Sequence, residues 1–120
     1  MAPQTITFET VRKIGLEMPG VEEGTMYGSP ALKFRGQMLA CIPIHKSAES
    51  NSLGVYVSFE AREDLLREAP DIYYVKDHYV PYPFVLVRLS RINVGALRDL
   101  LGMSLRFVKD KARRKKTSKQ

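Results

Sequence analysis

Short extended segments separated by tight turns fill the middle of the chain and constrain its fold more than any other feature. Residues 53–59 alternate strictly, because Leu53, Val55, Val57 and Phe59 are apolar and point the same way along a strand. The segments 31–35 and 38–44 flank a tight reversal that begins at Gly36. Strands joined by such short turns pair antiparallel. The sequence therefore predicts an antiparallel sheet.

Three helical segments complete the pattern. Apolar residues recur at helical spacing from Phe8 to Met18, residues 60–69 form a short helix with an acidic start, and Asn93 caps a last helix. Further strands are predicted at residues 25–27 and 84–89, with a short extended piece at 72–75. The helices need one sheet face to cover. The predicted fold is a two-layer α+β sandwich, an antiparallel sheet with helices on one face, in the order α-β-β-β-α-β-β-α.

The net charge of the chain lies entirely at its C-terminal end. The sequence has 19 Lys and Arg against 13 Asp and Glu, and residues 109–120 hold seven of the basic residues and one of the acidic ones. Residues 1–108 therefore carry 12 of each and are neutral. The length fits one domain, so we divide the chain into an α+β domain (1–108) and a basic tail (109–120), which either extends the last helix or is disordered.

The basic tail indicates a nucleic-acid or other polyanion partner. Its side chains can neutralise phosphates, and two further basic residues that share one face of a predicted strand, Lys33 and Arg35, can add to the surface. The candidates are Lys109, Lys111, Arg113, Arg114, Lys115, Lys116, Lys33 and Arg35, with Arg88 and Arg91 as secondary candidates on the body. If the helix continues, residues 106, 109, 113 and 116 form one basic stripe. The alternative is a solubilising end with no binding role.

A tyrosine-rich segment, residues 73–84, is the second candidate site. It contains four of the six tyrosines, and basic side chains lie between them. Exposed tyrosines beside basic groups can stack on unpaired bases or form a protein or ligand surface. The candidate residues are Tyr73, Tyr74, Lys76, His78, Tyr79 and Tyr82. The alternative is that these rings pack over the open end of the sheet.

Catalysis and cofactor binding find no support in the sequence. Cys41 and His45 stand about 13 Å apart if one strand runs through both, and no catalytic or phosphate-binding motif occurs. One cysteine and two histidines cannot supply four zinc ligands without carboxylates. The single cysteine fits a reducing compartment, and the first residues lack the features of a secretory signal. We expect a cytoplasmic protein that is not an enzyme and holds no cofactor or metal.

The motifs along residues 8–108 resemble those of the MmcQ/YjbR family of small bacterial proteins. The resemblance rests on residues 18–23, 27–33, 36–38 and 81–89, and on Leu97, Leu101 and Ser104 of the last helix, in the same order and spacing. Two positions depart from it, since Gln37 stands where the family usually has lysine and Phe84 where it has tryptophan. The family carries a DNA-binding label that rests on a fold-level analogy, the double-wing arrangement.

Together these features lead to one expected function and one alternative. We expect weak, largely non-sequence-specific binding of DNA, with phosphate contacts from the basic tail. The alternative is a protein-interaction or small-ligand module that uses residues 73–84. The neutral body favours the alternative, because dedicated duplex-binding domains usually carry basic charge on the fold itself.

Overall fold

A computed structural model describes residues 6–117, with side chains described through residue 112. Helix α1 (Phe8–Leu16) precedes four consecutive strands, β1 (Val21–Met26), β2 (Ser29–Phe34), β3 (Gln37–Cys41) and β4 (Ser52–Tyr56). Helix α2 (Phe59–Glu68), strand β5 (Tyr73–Tyr74), a short 3₁₀ turn η1 (Asp77–Tyr79), strand β6 (Phe84–Arg88) and helix α3 (Val94–Thr117) follow. All six strands form one antiparallel sheet in the order β1-β2-β3-β4-β6-β5.

Two-residue turns join the first three strands. In each turn both central residues have positive φ: 51° and 82° at Tyr27 and Gly28, and 51° and 81° at Arg35 and Gly36. This is the type I′ geometry, which matches the twist of the strands that it connects. Glycine adopts positive φ without strain, whereas tyrosine and arginine do so less readily.

The main core lies between the helices and one face of the sheet. Val11 and Ile14 of α1 and Leu97, Leu101 and Val108 of α3 pack against alternate residues of the central strands, and apolar residues of α2 join them. The Ser58 hydroxyl caps α2 by accepting from the Ala61 N–H (3.1 Å), and Asn93 caps α3 by accepting from the Ala96 N–H (2.8 Å). The three helices therefore lie on one side of the sheet.

A smaller apolar cluster lies on the opposite face, which we call the second face. It contains Cys41, Tyr74, Tyr79, Phe84 and Leu86, and no helix longer than η1 covers it among residues 6–117. The loop between β3 and β4 and the connection between β5 and β6 pack over part of this face. The rest of the face, toward β1 and β3, stays open.

The structure confirms the predicted α+β class and broadly the predicted element order. The strand predicted at 25–27 begins earlier, at Val21. With the predicted segments 31–35, 38–44 and 53–59 it makes four strands before α2, one more than the predicted order counts. Thr7 occupies the N-cap position of α1 without a side-chain hydrogen bond. Helix α3 continues through residues 109–117, and Val108 is the last buried residue among its described side chains.

Candidate ligand cavity and basic face

A cavity of about 760 Å³ opens on the second face of the sheet. Met26, Met38, Tyr56 and Phe84 form its floor. Its walls are residues 42–46 together with His78, Tyr79 and Tyr82. This volume falls within the roughly 300–1,000 Å³ of small-molecule sites. We refer to it as the ligand cavity.

Two stacked histidines form one wall of the ligand cavity. The rings of His45 and His78 lie parallel, with centroids 3.7 Å apart and an angle of 9° between their planes. The backbone N–H of Ser47 donates to Nδ1 of His45 over 3.1 Å, so the ring proton of His45 lies on Nε2. Desolvation lowers the pKa of His45, and the nearby His78 and Lys46 lower it further. At neutral pH His45 is therefore an uncharged hydrogen-bond donor.

The Cys41 thiol also lines the ligand cavity, but its chemistry is that of a core residue. Burial raises its pKa to about 11, so the thiol stays protonated at neutral pH and is a poor nucleophile. Strand β3 ends at Cys41, earlier than the predicted 38–44 segment, so the separation of about 13 Å expected for one strand through Cys41 and His45 does not apply. Both side chains line the same cavity as a result, without forming an activated thiolate.

The tyrosine-rich segment does not form the exposed surface that its sequence suggests. Tyr73, Tyr74 and Tyr79 are buried, with at most 9% of each exposed. Strand β5 pairs with β6, so Tyr73 joins the main core while Tyr74 joins the cluster on the second face. Of the six candidates only Lys76, His78 and Tyr82 are exposed.

Two buried polar contacts fix the walls of the ligand cavity. The Tyr74 hydroxyl accepts from the Glu49 N–H (2.8 Å) and shares a hydrogen bond with the Ser52 hydroxyl (2.6 Å), which ties the loop before β4 to the sheet. Arg62 of α2, which is 6% exposed, holds the connection before β6. Its Nη1 donates to the Tyr82 carbonyl (2.8 Å) and the Val80 carbonyl (3.2 Å).

The sequence interpretation missed Arg62 and much of the cavity floor. An arginine in a short charged helix predicts a solvated side chain, so nothing in the pattern of α2 marks it as buried. Met26, Met38 and Tyr56 belong to strands that the sequence does predict, and the alternation of residues 53–59 already places Tyr56 on the second face. The sequence gives no sign that this part of the face stays uncovered.

A second, shallower groove of about 450 Å³ adjoins the ligand cavity and shares Met26, Met38, Tyr56 and Tyr82 with it. Lys33 of β2 and Lys111 of α3 line this groove together. Lys33 from the sheet and Lys111 from the last helix, both candidates for phosphate contact, therefore lie at the same groove.

Two more basic candidates converge on the ring of Phe34, which follows Lys33 in β2 and belongs to the main core. The Arg35 guanidinium carbon lies 5.3 Å from the ring centroid, and Lys109 Nζ lies 5.4 Å from it. Both distances are typical of cation–π contacts. Arg35 lies in the β2–β3 turn, so the sequence-based placement of Lys33 and Arg35 on one strand face is wrong. We call Lys33, Arg35, Lys109 and Lys111 the basic face.

The remaining basic candidates fall into two groups. Residues 113–116 continue α3 beyond the basic face, but the side chains of Arg113, Arg114, Lys115 and Lys116 lie outside the described residues. The guanidinium of Arg88, a secondary candidate on the body, already pairs with protein groups. It forms two hydrogen bonds of 2.8 Å to the Glu49 carboxylate and lies over the Tyr74 ring.

Neither a metal cluster nor a membrane span is present in the described part of the chain. Residues with described side chains contain no group of three or more His, Cys, Asp or Glu that can hold a metal ion. Helix α3 is 24 residues long, and neither it nor any other described helix combines the length and apolarity that a bilayer crossing requires.

Comparisons with known proteins place the fold but not the activity. No family model matches the sequence, and no curated protein matches it. Among solved structures, the fold is similar to the crystal structure of DR2400 from Deinococcus radiodurans, a protein with the family-model domain DUF419. The two chains share 20% identity with a TM-score of 0.67, and the match covers 88% of this chain and 80% of that one. At this identity the similarity shows a shared fold alone.

Proposed function

We propose that this protein binds nucleic acid weakly and with little sequence preference, through the basic face and the basic end of α3. The observation that carries the proposal is the meeting of Lys33, Arg35, Lys109 and Lys111 around one end of the molecule. Two basic residues of the neutral body, Lys33 and Arg35, thus lie where the basic tail begins. Such a cluster is the electrostatic footprint of a phosphate-binding surface.

The proposed mechanism is phosphate neutralisation with release of counterions. Each phosphate that a Lys or Arg neutralises contributes about −0.9 to the slope of log K against log salt on duplex DNA. The seven basic residues of the tail therefore account for a slope of at most about −6. No arrangement of side chains for reading base edges accompanies the basic face in the described structure, so we expect little sequence preference.

The groove beside the basic face favours single strands over duplex DNA. Lys33 and Lys111 line it together with Tyr56 and Tyr82, and 52% of Tyr82 is exposed. A positively charged groove with an exposed aromatic ring is the common way to hold an unpaired strand, because each base can stack on the ring. Tyr82 is thus the one member of the tyrosine-rich segment that we assign to nucleic-acid contact.

A truncated chain and a charge-neutralised chain test the proposal. A chain that ends at Val108 keeps the whole described core, because the last buried side chain is Val108. We expect it to lose most of its affinity for a fluorescent single-stranded oligonucleotide, as measured by anisotropy. Full-length chains with Gln at the six basic positions between 109 and 116 should lose as much. Arg67→Gln, which removes an exposed charge on α2, should bind like the unmodified chain.

We also propose that the chain is a cytoplasmic, non-enzymatic bacterial protein of the MmcQ/YjbR family. The ordered motifs over residues 8–108 support family membership, as does the fold shared with a protein that has the DUF419 domain. The alternative function, a protein-interaction or small-ligand module, gains support from the ligand cavity rather than from exposed tyrosines.

A further inference from the structure

We infer that the ligand cavity binds a small, flat aromatic molecule that carries a carboxylate. This inference does not depend on nucleic-acid binding, because it rests on the lining, charge and support of the cavity rather than on the basic face. Each of these three features narrows the class of ligand.

The lining selects a flat apolar body. Phe84 stacks on Tyr79, with centroids 5.0 Å apart and planes 20° apart, and Tyr56 meets the Phe84 ring edge-on at 5.2 Å. Met26 and Met38 complete the floor. Aromatic rings and thioethers make favourable contacts with another aromatic ring, and methionine adapts to the shape of its ligand.

The polar groups at the cavity select a negative charge. His45, Lys46 and His78 line one side, and none of the described side chains that line the cavity is Asp or Glu. Ser47 occupies Nδ1 of His45, which leaves the Nε2–H for an acceptor. A carboxylate can accept from this N–H while it lies near the Lys46 ammonium, whereas that ammonium repels a cation at the same place.

The hydrogen bonds that hold the walls of the cavity indicate a preformed site. The Tyr74 and Arg62 hydrogen bonds fix both walls without a ligand, which lowers the entropic cost of binding. Tyr27 stands at the rim with 82% of its surface exposed and with φ 51° in a turn that favours Asn or Gly. An aromatic ring exposed at the rim can cover the open side of a flat molecule bound in the cavity.

Three naphthalene probes test the charge and shape of the site with the full-length chain. The probes are 2-naphthoate, its neutral analogue 2-naphthamide, and the cation 2-naphthylmethylammonium, each titrated by calorimetry at pH 7.5. We expect 2-naphthoate to bind about tenfold more tightly than the amide, the ratio that one charge-assisted hydrogen bond supplies. The cation should bind more weakly than the amide. Equal affinities for all three probes would overturn the inference.

Methionine methyl resonances locate the binding. The naphthalene ring current should shift the methyl signals of Met26 and Met38, which line the cavity, and leave those of Met18 and Met103, which pack against the main core. Shifts confined to Met18 and Met103, or shifts of none of the four, would place the probe elsewhere and overturn the assignment.

Matched lysine variants test the role of charge. Lys46→Gln should weaken 2-naphthoate roughly two- to fivefold and leave the amide unchanged. Lys76→Gln is the control, because Lys76 lies in the connection between β5 and β6, which packs over the same face, but does not line the cavity. Equal weakening by both variants would mean that overall charge alone attracts the probe, and the site would be rejected. Tyr27→Asn, which suits the turn, should weaken both 2-naphthoate and the amide.

Discussion

The packing of Phe84 over Gly54 makes the Gly54→Ala variant a sharp test of how the second face is built. Gly54 lies in β4, in the middle of the sheet, and the Phe84 ring covers it. A Cβ atom at residue 54 would lie 2.1 Å from Cζ of Phe84 and 2.7 Å from Cε1. Carbon atoms in contact normally stay about 3.5–4.0 Å apart. The ring must therefore move by more than 1 Å to accept a methyl group.

Two opposing effects set the size of the change. Overpacking a core costs roughly 1–3 kcal/mol, and Phe84 has little freedom to move because it stacks on Tyr79 and is 4% exposed. Replacing a strand glycine by alanine returns about 0.5–1 kcal/mol in backbone entropy. The clash is the larger effect, so we expect Gly54→Ala to lower the free energy of unfolding by about 1–2 kcal/mol.

Urea denaturation followed by circular dichroism measures this change, and Phe84→Leu supplies the matched control. If the Phe84 ring causes the destabilisation, the variant that combines Gly54→Ala with Phe84→Leu should lose less stability than the two single losses added together. The difference should be about 1 kcal/mol. Gly54→Ala with unchanged or higher stability would refute the reasoning. Strict additivity of the two substitutions would assign the cost to another contact.

Three further predictions follow from the buried polar groups. Arg62→Met should lower the free energy of unfolding by about 3 kcal/mol, because the carbonyls of residues 79, 80, 82 and 84 lose their donor. Arg67→Met, an exposed change on the same helix, should alter it by less than about 0.5 kcal/mol, and equal effects of the two variants would contradict the role of Arg62. The pKa of His45 is lowered in the folded protein, so the unfolded chain binds more protons below about pH 6.5 and stability should fall from pH 7 to 5. His45→Gln should make the loss of stability between pH 7 and 5 smaller. If the variant loses as much stability over this range as the unmodified protein, the assignment to His45 is refuted. Because burial raises the pKa of Cys41 to about 11, its alkylation by iodoacetamide at pH 7 should be far slower in the folded than in the urea-unfolded protein, and equal rates would contradict that assignment.

The sequence predicts the architecture because each element carries a local signal. The alternation of residues 53–59 and the glycine turns identify the strands, and the caps at Ser58 and Asn93 mark where helices begin. The start of β1 was missed because Glu22 and Glu23, which lie on this edge strand, read as a solvated loop. An edge strand with one exposed side loses the apolar pattern that marks a central strand.

The candidate sites were predicted less well, because they depend on which distant segments meet. The burial of Tyr73 and Tyr74 follows from the pairing of β5 with β6, and a run of tyrosines does not reveal that partner. The convergence of Arg35 and Lys109 on Phe34 joins residues 74 positions apart, and the type I′ turn that places Arg35 there is set by backbone geometry. The sequence shows that the net charge lies in residues 109–120. Only the fold shows that basic side chains of the sheet and of α3 lie near one another.

The salt dependence of DNA binding tests the central claim most directly. Affinity for one duplex and for one single strand is measured between 50 and 200 mM salt, with the full chain and with the chain that ends at Val108. The account predicts a log–log slope steeper than about −4 on the duplex for the full chain and shallower than about −2 for the truncated one. Equal slopes and equal affinities for the two chains would contradict it, because the basic end of α3 would then take no part in binding.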